Sequence, residues 1–220
     1  MKRFIKTIYY NLHWILSLFL LAYVCIPLLA PTLLHGENPR AGWWIHSVYH
    51  FGCHQRPERS LFFYGDQISY STTELEEYGY ANSIIGYPFV GNETMGYKTA
   101  LCVRDIFLYS AMSIVGILVC ANFIRFSLRW WMVLLGTVPM ILDGGIQFVS
   151  EFLYYTQDKW NLELAKPFYI SNNVTRAVTG ALFGITFGIL IIGELKKALR
   201  TEELWQKNRK QQSSKSARKR

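Results

Sequence analysis

Residues 14–34, WILSLFLLAYVCIPLLAPTLL, decide the fold class. The run carries no charged side chain and is about as long as the ~20 residues a helix needs to cross a ~30 Å hydrocarbon layer. Lys2, Arg3 and Lys6 precede it, so a secretory leader has to be weighed against it. A leader has a shorter apolar region, roughly 7–15 residues, followed by a small-residue cleavage site, and no such site follows here. The stretch therefore reads as a retained membrane helix whose far end is bent or ended by Pro27 and Pro31.

Three more apolar runs follow, at about residues 106–123, 130–148 and 174–193. Arg125 and Arg129 occupy the short turn between the second and third runs, and Glu151, Asp158 and Glu163 follow the third. By the positive-inside rule the four spans leave both termini in the cytoplasm of a multi-pass plasma-membrane protein. The chain has 220 residues, 51% of them hydrophobic, and a net charge of +8. That basicity is concentrated in the tail, residues 196–220, expected to be a disordered cytoplasmic segment beyond a single membrane domain of residues 1–195. A basic tail without a folded aqueous module does not predict specific nucleic-acid binding, and anionic lipid headgroups are its simpler partner. The expected architecture is all-α, with four transmembrane helices and a long outer loop, residues 36–104.

That loop opens with Trp43-Trp44, residue types that favour the headgroup level, so a short interfacial helix is expected near Trp43–Phe51 with an irregular cap after it. It also holds the densest chemistry of the chain, Cys53-His54-Gln55-Arg56-Pro57-Glu58-Arg59-Ser60. Three further polar fragments lie where apolar runs begin or end: Cys102-Val103-Arg104-Asp105, Leu142-Asp143-Gly144-Gly145-Ile146-Gln147 and Asn172 to Gly180. The four-span topology brings all four to the outer face. Helical spacing sharpens this, because Asp105, Tyr109, Ser113, Gly116 and Cys120 share one face of span two. Arg176, Gly180, Gly184 and Gly188 form a small-residue stripe on span four that lets a neighbouring helix approach closely. Asp143 and Arg176, each costly alone within a membrane, are expected to meet directly or through Gln55 or Arg59.

With these residues assembled, the chain resembles a family of uncharacterised prokaryotic integral membrane proteins classed as a domain of unknown function. The matching pieces are Cys53-His54-Gln55-x-Pro57-Glu58-Arg59-Ser60, Cys102-x-Arg104, Leu142-Asp143-Gly144-x-x-Gln147 and Asn173-x-x-Arg176-x-x-Thr179-Gly180. The family's second fragment usually continues into another cysteine and a glycine, where this chain has Asp105 followed by Ile106-Phe107, and the Leu61–Leu101 insertion is longer than the family pattern. The resemblance implies a fold and an outer-face location, and no established activity.

The residue types leave several chemistries open. Zinc accepts mixed N, S and O donors in a tetrahedral shell, and His50, Cys53, His54, Cys102 and Asp105 supply them, with His46 at helical i,i+4 spacing before His50, although no pair of Cys-x-x-Cys clusters exists. A disulfide between Cys53 and Cys102 would staple the loop to span two, worth about 4 kcal/mol by a chain-entropy argument for a loop of about 50 residues. An anion site is the third reading: Arg56, Arg59, Arg104 and Arg176 offer forked donors, with Gln55 and Gln147 beside them, to a lipid or lipid-linked phosphate headgroup. Asp143 or His54 would move protons and Cys53 would serve as a nucleophile if the site is catalytic. Against all of these stands a structural reading, in which the same charges pair with one another to hold helices and loop together.

Overall fold

The computed structural model describes residues 2–78, 80, 89–160, 164 and 167–218. Glu163, placed by the sequence in the loop after span three, and Lys219–Arg220 of the tail lie outside the described residues, as do residues 79 and 81–88 of the insertion. In chain order the elements are α1 (Lys2–Tyr10), α2 (Leu12–His35), α3 (Pro39–Tyr49), a 3-10 turn (Pro57–Arg59), β1 (Phe62–Phe63), α4 (Thr72–Glu77), β2 (Gly91–Asn92), β3 (Gly96–Lys98), α5 (Val103–Cys120), α6 (Trp130–Tyr155), α7 (Gln157–Trp160) and α8 (Asn173–Phe187). A π-helical segment, Gly188–Ile192, then joins α8 to α9 (Gly193–Arg218).

Among the described residues, four helices are long and apolar enough to cross a membrane: α2, α5, α6 and the continuous stretch Asn173–Gln212. The protein is thus an all-α membrane protein, and Leu18, Phe19 and Leu29 on α2 and Leu135, Ile141 and Phe148 on α6 present the exposed apolar surface that hydrocarbon would cover. Pro27 and Pro31 do not end α2, which continues to His35. Pro31 has no N–H to give to the carbonyl one turn earlier, and that carbonyl, Pro27 O, instead accepts the Ala100 N–H at 3.3 Å from the loop.

Helix α5 is packed between α2 and α8. Its Ser113 hydroxyl donates to Ser17 O at 3.2 Å, and Gly116 lies so close to Ser17 that an added Cβ would come within 2.7 Å of the Ser17 hydroxyl. On the other side the small-residue stripe of α8 behaves as its spacing predicts. A Cβ on Gly180, Gly184 or Gly188 would run into the backbone carbonyls of Arg104, Leu108 and Met112 in turn, so α5 and α8 run parallel in near-backbone contact. Helix α6 completes the bundle against α8, with Gly136 opposite Thr186.

The spans differ from the sequence expectation at their ends. Span two begins at Val103 and closes at Cys120, and span three continues to Tyr155, carrying Glu151 into the helix instead of the loop. The tail, expected to be disordered, is helical as α9. Two contacts bind this end: Tyr10 donates to Gln206 Oε1 at 3.0 Å, and the Lys196 ammonium donates to Val119 O and, at 3.0 Å, to Cys120 O, the last carbonyls of α5. Residues 36–102 are also more regular than an irregular cap. The short helix expected near Trp43–Phe51 is α3, and β1, β3 and β2 form a small antiparallel sheet in that order, with Phe62 opposite Lys98 and Gly91 opposite Tyr97. Phe62, Tyr70, Leu75 and Met95 make its core.

Candidate functional site

The four polar fragments do converge, at the bundle end that carries the insertion. Arg104, on the first turn of α5, forms an ion pair with Asp143 of α6. The other Asp143 oxygen accepts the Tyr169 hydroxyl at 2.6 Å, so both carboxylate oxygens are engaged. One turn on, Gln147 donates to Glu151 at 2.7 Å, and its carbonyl oxygen accepts from Arg176 of α8 at 2.8 Å. Glu151 in turn receives Arg59, and Arg56 lies 3.5 Å from it. Glu58 sits between these two guanidiniums, 3.7 Å from Arg56 and 3.4 Å from Arg59. A carboxylate within an apolar span is tolerated only with such partners.

Arg176 is the exception. It is 2% exposed, its Nε donates to Ser171 O at 3.0 Å, and its other partner among the described residues is the neutral amide of Gln147. Among the described residues no carboxylate lies within ion-pairing distance of it. The expected Asp143–Arg176 contact is therefore replaced by two neighbouring pairs, Arg104–Asp143 and Gln147–Arg176, with neither Gln55 nor Arg59 as a bridge between them. The reach of the side chain explains it: the Arg104 Nη1 extends to α6, 3.2 Å from where a Cβ on Gly144 would stand, and so reaches Asp143 first.

A second group of polar side chains adjoins this network. Cys53 follows the end of α3, where its N–H donates to Tyr49 O at 3.0 Å, and the Tyr49 hydroxyl in turn donates to Tyr23 O of α2 at 2.7 Å. Cys102 is the N-cap residue of α5, yet its thiol does not cap the backbone and instead donates to the Asp105 carboxylate at 3.1 Å. The Cys53 and Cys102 sulfurs and an Asp105 oxygen all lie within 4.8 Å of one another, and both cysteines are free thiols. Contact with the Cys102 side chain lowers the Cys53 pKa, and contact with Cys53, followed by burial, raises that of Cys102.

Behind the thiols, Lys98 at the end of β3 is fully buried, and its Nζ has no hydrogen-bond partner among the described residues. Burial brings its pKa down to about 7, against the charges of Cys53, Glu58 and Cys102, which favour the ammonium. His46 of α3 is also fully buried, and burial lowers its pKa to about 4. Its Nδ1 meets Gln55 Oε1 at 2.9 Å while Gln55 Nε2 donates to His46 O at 2.7 Å. This two-point clasp holds Gln55 at φ 51°, in the left-handed region, and so fixes the turn between Cys53 and Arg59.

Several candidate residues take places other than those expected. Gln55 faces His46 and not the arginines, so it is a turn-fixing residue here. His50 and His54 are exposed and stand outside the Cys53–Cys102–Asp105 group. Arg56, Arg59 and Arg104 gather as expected, each against a carboxylate. Four participants had no sequence signal of their own, or were passed over: Glu151, read as a loop acid; Tyr169; Lys98; and His46, which its i,i+4 spacing to His50 brought up as a ligand and not as a packed side chain. The charge of Glu151 about one turn before the end of α6 was the one usable clue, since a charged residue continuing an apolar helix needs a buried partner.

Two surface depressions, of about 390 Å³ against Trp205 and Arg209 and about 290 Å³ against Arg40, Trp43 and Trp44, lie on α9 and α3. Residues 93–190 match the family model described as "Predicted membrane protein (DUF2085)", a stretch that takes in Cys102, Arg104, Asp143, Gln147 and Arg176 and stops short of the Cys53–Ser60 segment. No curated protein and no solved structure matches the chain.

Proposed function

We propose that this membrane protein binds an anionic headgroup, a phospholipid or lipid-linked phosphate, at the bundle end where the four polar fragments meet, on the outer face of the plasma membrane. The observation that carries the reading is Arg176, a buried guanidinium whose partners among the described residues are neutral oxygens. An uncompensated charge at this depth is costly, whereas a phosphate oxygen would supply the missing counter-charge in the forked geometry a guanidinium favours. Arg56, Arg59 and Arg104, each 18–27% exposed at the side chain, form the partly open rim through which a headgroup would approach. Asp143 is held by Arg104 and Tyr169, which favours a binding over an acid–base role for it. The orientation rests on Arg125 and Arg129 in the short turn at the opposite end.

A second reading is favoured by the ion pairs themselves: Arg104–Asp143 and Arg59–Glu151 fasten α5, α6 and the loop whether or not anything binds. Thermal unfolding in lipid nanodiscs separates the two. Anionic phospholipid is expected to raise the melting temperature of the wild type above its value in zwitterionic lipid, and Arg176→Gln is expected to lose that increment. An equal increment in both proteins would assign the effect to the basic tail and leave the network a purely structural role.

A further inference from the structure

We propose that Cys53, Cys102 and Asp105 form a binding site for a thiophilic divalent cation of the zinc class, with a fourth position left to water or a ligand. Two of the donors come from the first turn of one helix: Cys102 at the N-cap and Asp105 three residues later stand on the same side of α5, Sγ to Oδ2 3.1 Å. The third comes from the loop, where the end of α3 and the Gln55 clasp hold Cys53 against them. Donor atoms about 2.0–2.3 Å from a tetrahedral zinc stand roughly 3.5–3.8 Å from one another. The three here, all within 4.8 Å, need only small side-chain adjustments to meet that spacing.

An independent observation points the same way. Lys98 buries a completely unexposed Nζ with no hydrogen-bond partner among the described residues, close enough to Cys53, Glu58 and Cys102 to feel their charge. A dication held by two thiolates and a carboxylate carries a net negative charge, and a thiolate bound to metal still accepts hydrogen bonds. Lys98 is placed to supply both the positive charge and the N–H donor such a centre requires, in the way that partners around a metal's ligands tune and hold them. On binding, the cation displaces the Cys53 and Cys102 protons to solvent, and no electron is transferred.

The site is independent of the headgroup reading and is tested without it. Protein purified in mild detergent without chelator should hold about one zinc per chain by elemental analysis, and cobalt(II) exchanged into it should show near-ultraviolet thiolate-to-metal charge transfer. Cys53→Ser and Cys102→Ser should lose the band, and Cys25→Ser should keep it. Because a cysteine variant could fail to fold, Asp105→Asn serves as the second test: its amide oxygen still accepts the Cys102 thiol, and it should fold yet bind the cation about 10-fold or more weakly. Zinc should also shield both thiols from alkylation. The proposal is overturned by folded protein with free thiols that takes up neither metal, by an Asp105→Asn protein with unchanged affinity, or by an intact mass lower by two hydrogens, which would mean a Cys53–Cys102 disulfide.

Discussion

His46 is neutral and fully buried, its Nδ1 against Gln55 Oε1 and its Nε2 without a hydrogen-bond partner among the described residues, and burial holds its pKa at about 4 against an ordinary 6.5. The sign of the resulting pH dependence follows from which state takes the proton. Between pH 6.5 and about 4 the unfolded chain is protonated at this position and the folded chain is not, so stability falls across that window and levels off below it. His46→Gln keeps an amide opposite Gln55 without a titrating group. It should flatten the melting-temperature profile between pH 6.5 and 4, and a variant profile parallel to the wild type would show that His46 does not control it. Much at this scale was hidden from the sequence. A histidine spaced for a ligand and a histidine spaced for burial look alike on a helix, and the difference is made by Gln55 and β3, which arrive from elsewhere in the chain. Arg104 rather than Arg176 reaches Asp143 for a similar reason: the pairing depends on the Arg104 side chain extending across to Gly144 on α6, a matter of how the helices are placed.

At the level of the elements, the α5–α8 contact was legible, because the Gly180–Gly184–Gly188 spacing is a local property of one helix and its consequence, close approach, needs only a partner. Gly184 is the tightest point against Leu108 O, a backbone atom that no rotamer change can move, whereas Gly145 on α6 has nothing within 4 Å of an added Cβ. Gly184→Ala should therefore destabilise the protein despite the better helix propensity of alanine, by about 1–3 kcal/mol for overpacking. Gly145→Ala, free of any clash, should be neutral or stabilising by up to about 1 kcal/mol. Chemical or thermal unfolding in one detergent compares the pair, and equal effects would mean that α5 and α8 are not in backbone contact. Span ends were less legible than span cores. Pro27 and Pro31 look like terminators on a hydropathy trace, but the carbonyl that Pro31 leaves unpaired is taken up by Ala100, and the helix runs on. Likewise α6 passes its apolar limit because Arg59 and Gln147 receive Glu151. The small sheet in the insertion escaped notice since two- and three-residue strands carry no periodicity to read.

Across the whole molecule, the sequence disclosed the four spans and the gathering of Cys53–Ser60, Cys102–Asp105, Asp143–Gln147 and Arg176 at one end, because topology alone decides which loop faces which side. It did not disclose how the charges divide there. Asp143, Glu58 and Glu151 are matched by Arg104, Arg56 and Arg59, and the unmatched guanidinium is the one on the glycine-striped helix, where Gly180 draws α8 against α5 and leaves Arg176 buried beside neutral oxygens. Among the described residues this leaves one buried guanidinium without a carboxylate, and the proposed anion binding rests on it. Native mass spectrometry of protein released from its own membranes tests this most directly. The wild type should retain one anionic phospholipid or lipid-linked phosphate through detergent stripping, and Arg176→Gln, correctly folded, should not. Retention of the same lipid by both proteins, or of zwitterionic lipid alone by the wild type, would contradict the account.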